Sequence, residues 1–161
     1  MAFATAVAAF AYAGPARPFV RAWKERGLRL LAPLAAELVA AQVVAPAAHV
    51  ITYVPPDPAR QLTRSCHPAE ALAVGLARSW QLPSAALLAR TRSAHRQASF
   101  PRAGRRANVE GSFTALAEAP ERVLLVDDVY TTGSTASAAA TALRAAGARR
   151  VEVVTFARAV R

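Results

Sequence analysis

Val123-Leu124-Leu125-Val126-Asp127-Asp128-Val129-Tyr130-Thr131-Thr132-Gly133-Ser134-Thr135 is the stretch that decides the fold. Val123 to Val126 form an unbroken apolar run, as a strand buried on both faces of a parallel sheet requires. Two acids, Asp127 and Asp128, close the run, and a turn of hydroxyls with one glycine follows. Thr135 to Ala146 then reads as a helix of small residues, and Gly147 stands where a left-handed residue would stop it. Val151 to Phe156 is a second buried strand. Strand, helix and strand within about 34 residues make a βαβ unit. The expected fold is therefore a single α/β domain with a parallel sheet of about four or five strands flanked by helices.

The same stretch carries the chemistry. In an open α/β sheet, ligands bind beyond the carboxyl ends of the strands, where Asp127 and Asp128 sit. Thr131, Thr132, Gly133, Ser134 and Thr135 offer backbone N–H groups and up to four hydroxyls at a helix N-terminus. Such a turn cradles a phosphate, helped by the helix dipole. Two carboxylates beside a phosphate cradle make electrostatic sense only if they face hydroxyls, a cation such as Mg²⁺, or a carbon that becomes positive. A ribose 5-phosphate with an activated leaving group at carbon 1 meets all of these requirements.

The rest of the chain sets the limits. At 161 residues it is the size of one domain. Apolar residues make up 54%, but 42 of them are alanine, which leaves enough larger side chains for one core. No apolar run reaches about 18 residues, so no membrane-spanning helix is expected. The lone cysteine, Cys66, rules out an internal disulfide and a cysteine-built zinc site, and fits a cytoplasmic protein. Residues 1–14 are small and apolar, but no Lys or Arg precedes them, as a signal peptide requires. They are expected to pack as a helix or an extended arm. Arg17 to Gln42 reads as two helices, the first ending near Gly27. Residues 1–45 thus form an N-terminal helical segment, or hood, and residues 46–161 the core of what is one domain overall. His49 to Val54 is a strand cut off by Pro55-Pro56, Cys66 to Gln81 has helical periodicity, and Ala86 to Ala89 is a short strand. Arg90 to Ser112 has no apolar period and reads as a mobile loop with ribbon-like edges.

The net charge is +10, with Lys24 the only lysine among twenty basic residues. Arginine pairs bidentately with phosphate, so a phosphorylated ligand or nucleic acid is favoured. Base-composition bias accounts for part of the excess, though not for where the charges fall.

The Asp-Asp/Thr-Thr-Gly-Ser-Thr stretch resembles the ribose-phosphate signature of the type I phosphoribosyltransferases, which use phosphoribosyl pyrophosphate (PRPP). The likeness extends to the ComF-like branch from about Tyr12 onward. Phe19-Val20-Arg21-Ala22-Trp23-Lys24-Glu25-Arg26-Gly27 is similar to that branch's early Lys-bearing helix. Tyr53-Val54-Pro55-Pro56 with Arg60 and Arg64 is similar to its strand-to-loop segment. Gln97, Arg105, Asn108-Val109, Gly111 and Phe113 keep a further spacing, and Val154-Thr155-Phe156-Ala157-Arg158 its closing strand. The resemblance implies that Thr131 to Thr135 bind the 5-phosphate and that Asp127 and Asp128 act as catalytic acids holding the ribose hydroxyls. It also implies Mg²⁺, held through Asp127 and Asp128, and assigns Pro55, Arg60, Arg64, Arg102, Arg105 and Asn108 to the pyrophosphate and its loop. A homodimer fits the family. Two departures stand. Arg64-Ser65-Cys66-His67-Pro68 replaces the branch's Arg-Gly-Phe-Asn-Gln. Its N-terminal four-cysteine zinc module has no counterpart, either truly or because Met1 is a late start.

Six arginines fall between Arg90 and Arg106. In this family a loop closes over PRPP and screens its pyrophosphate from water, and arginines there would neutralise the leaving group. The same cluster is also the footprint of a single-stranded-DNA patch, or simply a solvated basic loop. The resemblance to the ComF-like branch, whose members are linked to natural competence and DNA uptake, implies a second function: a non-catalytic PRPP-, phosphate- or single-stranded-DNA-binding accessory protein. Cys66 beside His67 lacks an orienting third group and reads as packing. His49, His67 and His95 lack metal-ligand spacing, and Trp23 and Trp80 lie on apolar helical stripes. P-loop, dinucleotide and zincin motifs are absent.

Overall fold

The computed structural model describes residues 1–25, 30–57, 67–91 and 111–160. The elements in chain order are β1 (Thr5–Ala11), α1 (Ala16–Glu25), α2 (Leu31–Gln42), β2 (Val50–Tyr53) and α3 (Pro68–Trp80). They continue with β3 (Leu88–Arg90), β4 (Phe113–Ala115), β5 (Arg122–Tyr130), α4 (Ser134–Ala145) and β6 (Arg150–Arg158).

Four strands form one parallel sheet in the order β1-β6-β5-β2. A parallel bridge from Ile51 to Ser84 prolongs the β2 edge. The expected parallel α/β sheet is present. The N-terminal stretch takes the extended alternative, and goes further than an arm: β1 pairs with β6 from Thr5↔Glu152 to Ala11↔Arg158. Alternation in β1 is hidden in the sequence because most of its residues are alanine.

Strand residues alternate between two apolar layers. Ile51, Leu124, Val126, Val154 and Phe156 pack with Val20, Trp23, Val39, Leu72 and Leu76 of α1–α3. Val50, Val123, Leu125, Val151 and Val153 pack with Ala136, Ala139, Ala140 and Leu143 of α4, and with Leu88 and Phe113. The sheet is covered on both faces, which is why its strands read as continuous apolar runs. Trp23 is 0% exposed and meets Phe156 edge-on, the core role expected of it. Pro33 lies in the first turn of α2, where its missing N–H costs nothing.

The two-stranded antiparallel ribbon β3–β4 carries the chain into and out of residues 92–110. Those residues, with Arg60 and Arg64, lie outside the described set, as does the expected stop at Gly27. At the end of α4, Gly147 adopts φ +113 and its N–H donates to the Arg144 carbonyl, so that expected stop is present.

Candidate active site

β5 continues through the acids instead of ending at them, and its ladder with β6 runs on through Asp127↔Thr155 to Tyr130↔Arg158. The sequence hides this extension because charged residues interrupt the apolar run. The inside–outside phase changes across the two acids. Leu124 and Val126 face the α1–α3 layer, yet beyond the acids it is Val129 that packs there, while Tyr130 joins the α4 layer. Local hydrogen bonds accompany the change. The Asp128 N–H donates to Asp127 Oδ1 (2.8 Å), and the Val129 N–H donates to Asp128 Oδ1 (2.7 Å). Adjacent strand residues ordinarily point to opposite faces. Here both acids line one cleft.

That cleft, of about 410 Å³, opens at the carboxyl end of the sheet. Its walls include Pro55, Asp127, Asp128, Thr131 and Thr135. These come from the loop after β2, the end of β5 and the start of α4, which parallel pairing brings to the same sheet edge. Thr132, Gly133 and Ser134 belong to the same turn, between the two lining threonines. Thr132 Oγ1 and Ser134 Oγ are 2.9 Å apart, so these two hydroxyls bond each other. Arg102, Arg105 and Asn108 lie outside the described residues.

Gly133 caps α4 with φ +77, in the left-handed region that favours glycine. A Cβ there would also run into the Tyr130 hydroxyl and ring. The N-cap glycine has no side chain to cap the helix, and the Ser134 N–H donates to Thr132 Oγ1 (3.4 Å). The dipole of α4 is thus directed at the cleft through a turn that only glycine fits well.

Lys24, Arg90 and Tyr12 are among the cleft residues that lie outside the signature stretch. Lys24, in the last turn of α1, places Nζ 2.6 Å from Asp128 Oδ2. Arg90, at the end of β3, donates from Nε to the Pro55 carbonyl (3.0 Å), and its guanidinium lies 4.7 Å from the centre of the Phe113 ring. Tyr12 lines the opposite wall. The signal for Lys24 is compositional: one lysine in a chain that otherwise uses arginine. His67, also at the cleft, stacks obliquely near Tyr53, whose hydroxyl donates to Glu70.

Burial raises the Asp127 carboxyl pKa to about 8, and the neighbouring Asp128 charge adds to the effect. Lys24 and the bond from the Asp128 N–H oppose it, but do not cancel it.

The donor set does not fit a resident Mg²⁺ on the acid pair, contrary to the expectation from the sequence. Octahedral Mg²⁺ needs oxygens at close to 2.1 Å and tolerates little distortion. Both Asp128 oxygens have partners, one of them an ammonium, and Asp127 Oδ1 accepts an N–H. Among the described residues no three His, Cys, Asp or Glu side chains gather into a metal site.

Two solved structures share this architecture. One is glutamine phosphoribosylpyrophosphate (PRPP) amidotransferase from B. subtilis complexed with ADP and GMP, 25% identical with a TM-score of 0.56. The match covers 79% of this chain and 26% of that one. The other is the allosteric regulatory enzyme of purine biosynthesis, 25% identical with a TM-score of 0.55, over 79% of this chain and 25% of that one. This chain therefore spans about a quarter of the length of either. No family model matches the sequence, and no curated protein does. The fold is that of the type I phosphoribosyltransferases, and these likenesses support placing the chain in that superfamily. No helix among the described residues is long and apolar enough to cross a membrane.

Proposed function

We propose that the chain is a PRPP-binding phosphoribosyltransferase of ComF-like type. It would transfer ribose 5-phosphate to a nucleobase or amine acceptor and release pyrophosphate. One observation carries the reading. Two adjacent carboxylates at the end of a central strand share a cleft with the N-terminus of α4 and its glycine-bearing hydroxyl turn. A sugar phosphate needs both halves: a dipole for the phosphate and carboxylate acceptors for the ribose hydroxyls.

In this reading Thr131 to Thr135 grip the 5-phosphate, and Asp127 and Asp128 hold the ring hydroxyls. Arg90, anchored on the Pro55 carbonyl, stands on the side from which pyrophosphate would leave, with Arg60, Arg64, Arg102, Arg105 and Asn108 joining from their segments. The bond from carbon 1 to pyrophosphate breaks, and pyrophosphate leaves with the electron pair. The acceptor nitrogen bonds to carbon 1 and gives up its proton. The acid pair acts by holding the ribose hydroxyls in place while carbon 1 becomes positive, and no covalent enzyme intermediate is required. Mg²⁺ carried on the pyrophosphate of PRPP would neutralise the charge of the leaving group.

Calorimetry with PRPP and Mg²⁺, followed by a pyrophosphate-release assay across nucleobases and amines, tests the proposal. Binding is expected for the wild-type chain and is expected to be lost in Asp127→Asn/Asp128→Asn with the fold retained. Equal PRPP affinity in that double variant would sink the site. Binding without turnover on any acceptor would leave the non-catalytic accessory reading.

A further inference from the structure

We propose that Lys24 is the resident cation of the acid pair. It acts as a positioning residue and takes the place on Asp128 that a divalent ion would otherwise occupy. The inference rests on the reading of this cleft as a PRPP site, but the contact itself does not. Lys24 comes from the last turn of α1, an element with no part in the β5–α4 signature. Its ammonium reaches Asp128 Oδ2 at 2.6 Å, with the lysine side chain 27% exposed and the aspartate side chain 12%. A pair this enclosed is not a surface ion pair of negligible worth. Removing one partner from such a pair strands the other charge.

Geometry sets the ammonium and a metal in competition for Asp128 Oδ2. Asp128 Oδ1 accepts the Val129 N–H, and Oδ2 is held by Lys24. A divalent ion on Oδ2 would face the ammonium across one oxygen, at a separation where like charges repel strongly. Lys24 therefore neutralises the acid that faces α1 and keeps its carboxylate aimed at the cleft.

The test needs no substrate at first. Melting temperature is read with and without 10 mM Mg²⁺ or Mn²⁺ for the wild type, Lys24→Met, Lys24→Arg and Lys24→Met/Asp128→Asn. The wild type and Lys24→Arg should not respond to metal. Lys24→Met should melt lower, and metal alone should raise it by roughly 3 °C or more, a binding-linked shift. The added Asp128→Asn should abolish that response. Lys24→Met/Asp128→Asn keeps the test alive if the single variant fails to fold, because it buries no stranded carboxylate. If it is restored to wild-type melting while the single variant is unfolded, the pairing is supported. A metal response in the wild type as large as in Lys24→Met would overturn the proposal, and so would the absence of any response in a folded Lys24→Met. Calorimetry with PRPP then separates the two readings. A wild type that fails to bind PRPP refutes the PRPP site but leaves the metal comparison intact.

Discussion

Asp127 links the local chemistry to pH. Its pKa in the folded protein stands at about 8 against an ordinary 3.8, so the folded state holds a proton that the unfolded chain releases. Stability from this group is fully present below pH 4 and is lost as pH rises toward about 8. Urea unfolding at pH 5 and at pH 8.5 should show wild-type stability falling across that interval. Asp127→Asn, which carries no titrating proton, should show a smaller fall; identical falls would contradict the assignment. Gly133 makes a second prediction at this scale. Gly133→Val forces a side chain into the left-handed region, at roughly 1–2 kcal/mol. It also drives a Cβ against Tyr130. Ser134→Ala removes one exposed hydroxyl contact, worth about 0.5–1.5 kcal/mol. PRPP affinity should therefore fall further in Gly133→Val. The opposite ranking would mean that the phosphate is held by hydroxyls and not by the backbone.

Among elements, the α2–α3 crossing positions α3 over the sheet. Gly75 of α3 faces Ala36 of α2 so closely that a Cβ on Gly75 would overlap the alanine methyl. Gly75→Ala gains roughly 1 kcal/mol of helix propensity. It must also separate two packed helices, an overpacking cost of about 1–3 kcal/mol. Net destabilisation is expected by chemical denaturation, with little change in PRPP affinity because the crossing lies away from the cleft. A more stable Gly75→Ala would mean that the helices can part freely. The β3–β4 ribbon matters in a different way. It fixes Arg90 against Phe113 and Pro55 at the rim of the cleft.

For the whole molecule, charge and fold make separate predictions. PRPP with Mg²⁺ at about 100 times its Kd should stabilise the native state by about 2.7 kcal/mol. That corresponds to a rise in melting temperature of several degrees, absent in Asp127→Asn/Asp128→Asn. The net charge of +10 supports a different kind of binding, to single-stranded DNA, with a log–log salt slope of about 0.7 per phosphate contacted. Arg102→Ala/Arg105→Ala/Arg106→Ala should weaken PRPP binding or turnover if these arginines serve the ligand. Loss of DNA binding with PRPP affinity intact would assign them to nucleic acid instead.

The sequence by itself determined the βαβ unit, the glycine-and-hydroxyl turn and the acid pair. Each is encoded within a few neighbouring residues: an apolar run, a glycine among hydroxyls, a helix of small residues. The two buried layers were legible for the same reason, because continuous apolar strands require cover on both faces. Alanine blurred the rest. Seven residues of β1 carry too little hydrophobic contrast to reveal a strand, so only pairing with β6 shows that Thr5–Ala11 is an edge strand of the sheet. The reach of β5 through Asp127 and Asp128 was hidden because ladder bonds to β6, not side-chain polarity, hold that segment extended. Sequence marked Lys24 as the lone lysine but did not pair it with Asp128. Lys24 lies more than a hundred residues away along the chain, and only the packing of α1 through Trp23 against Phe156 brings its ammonium to the carboxylate.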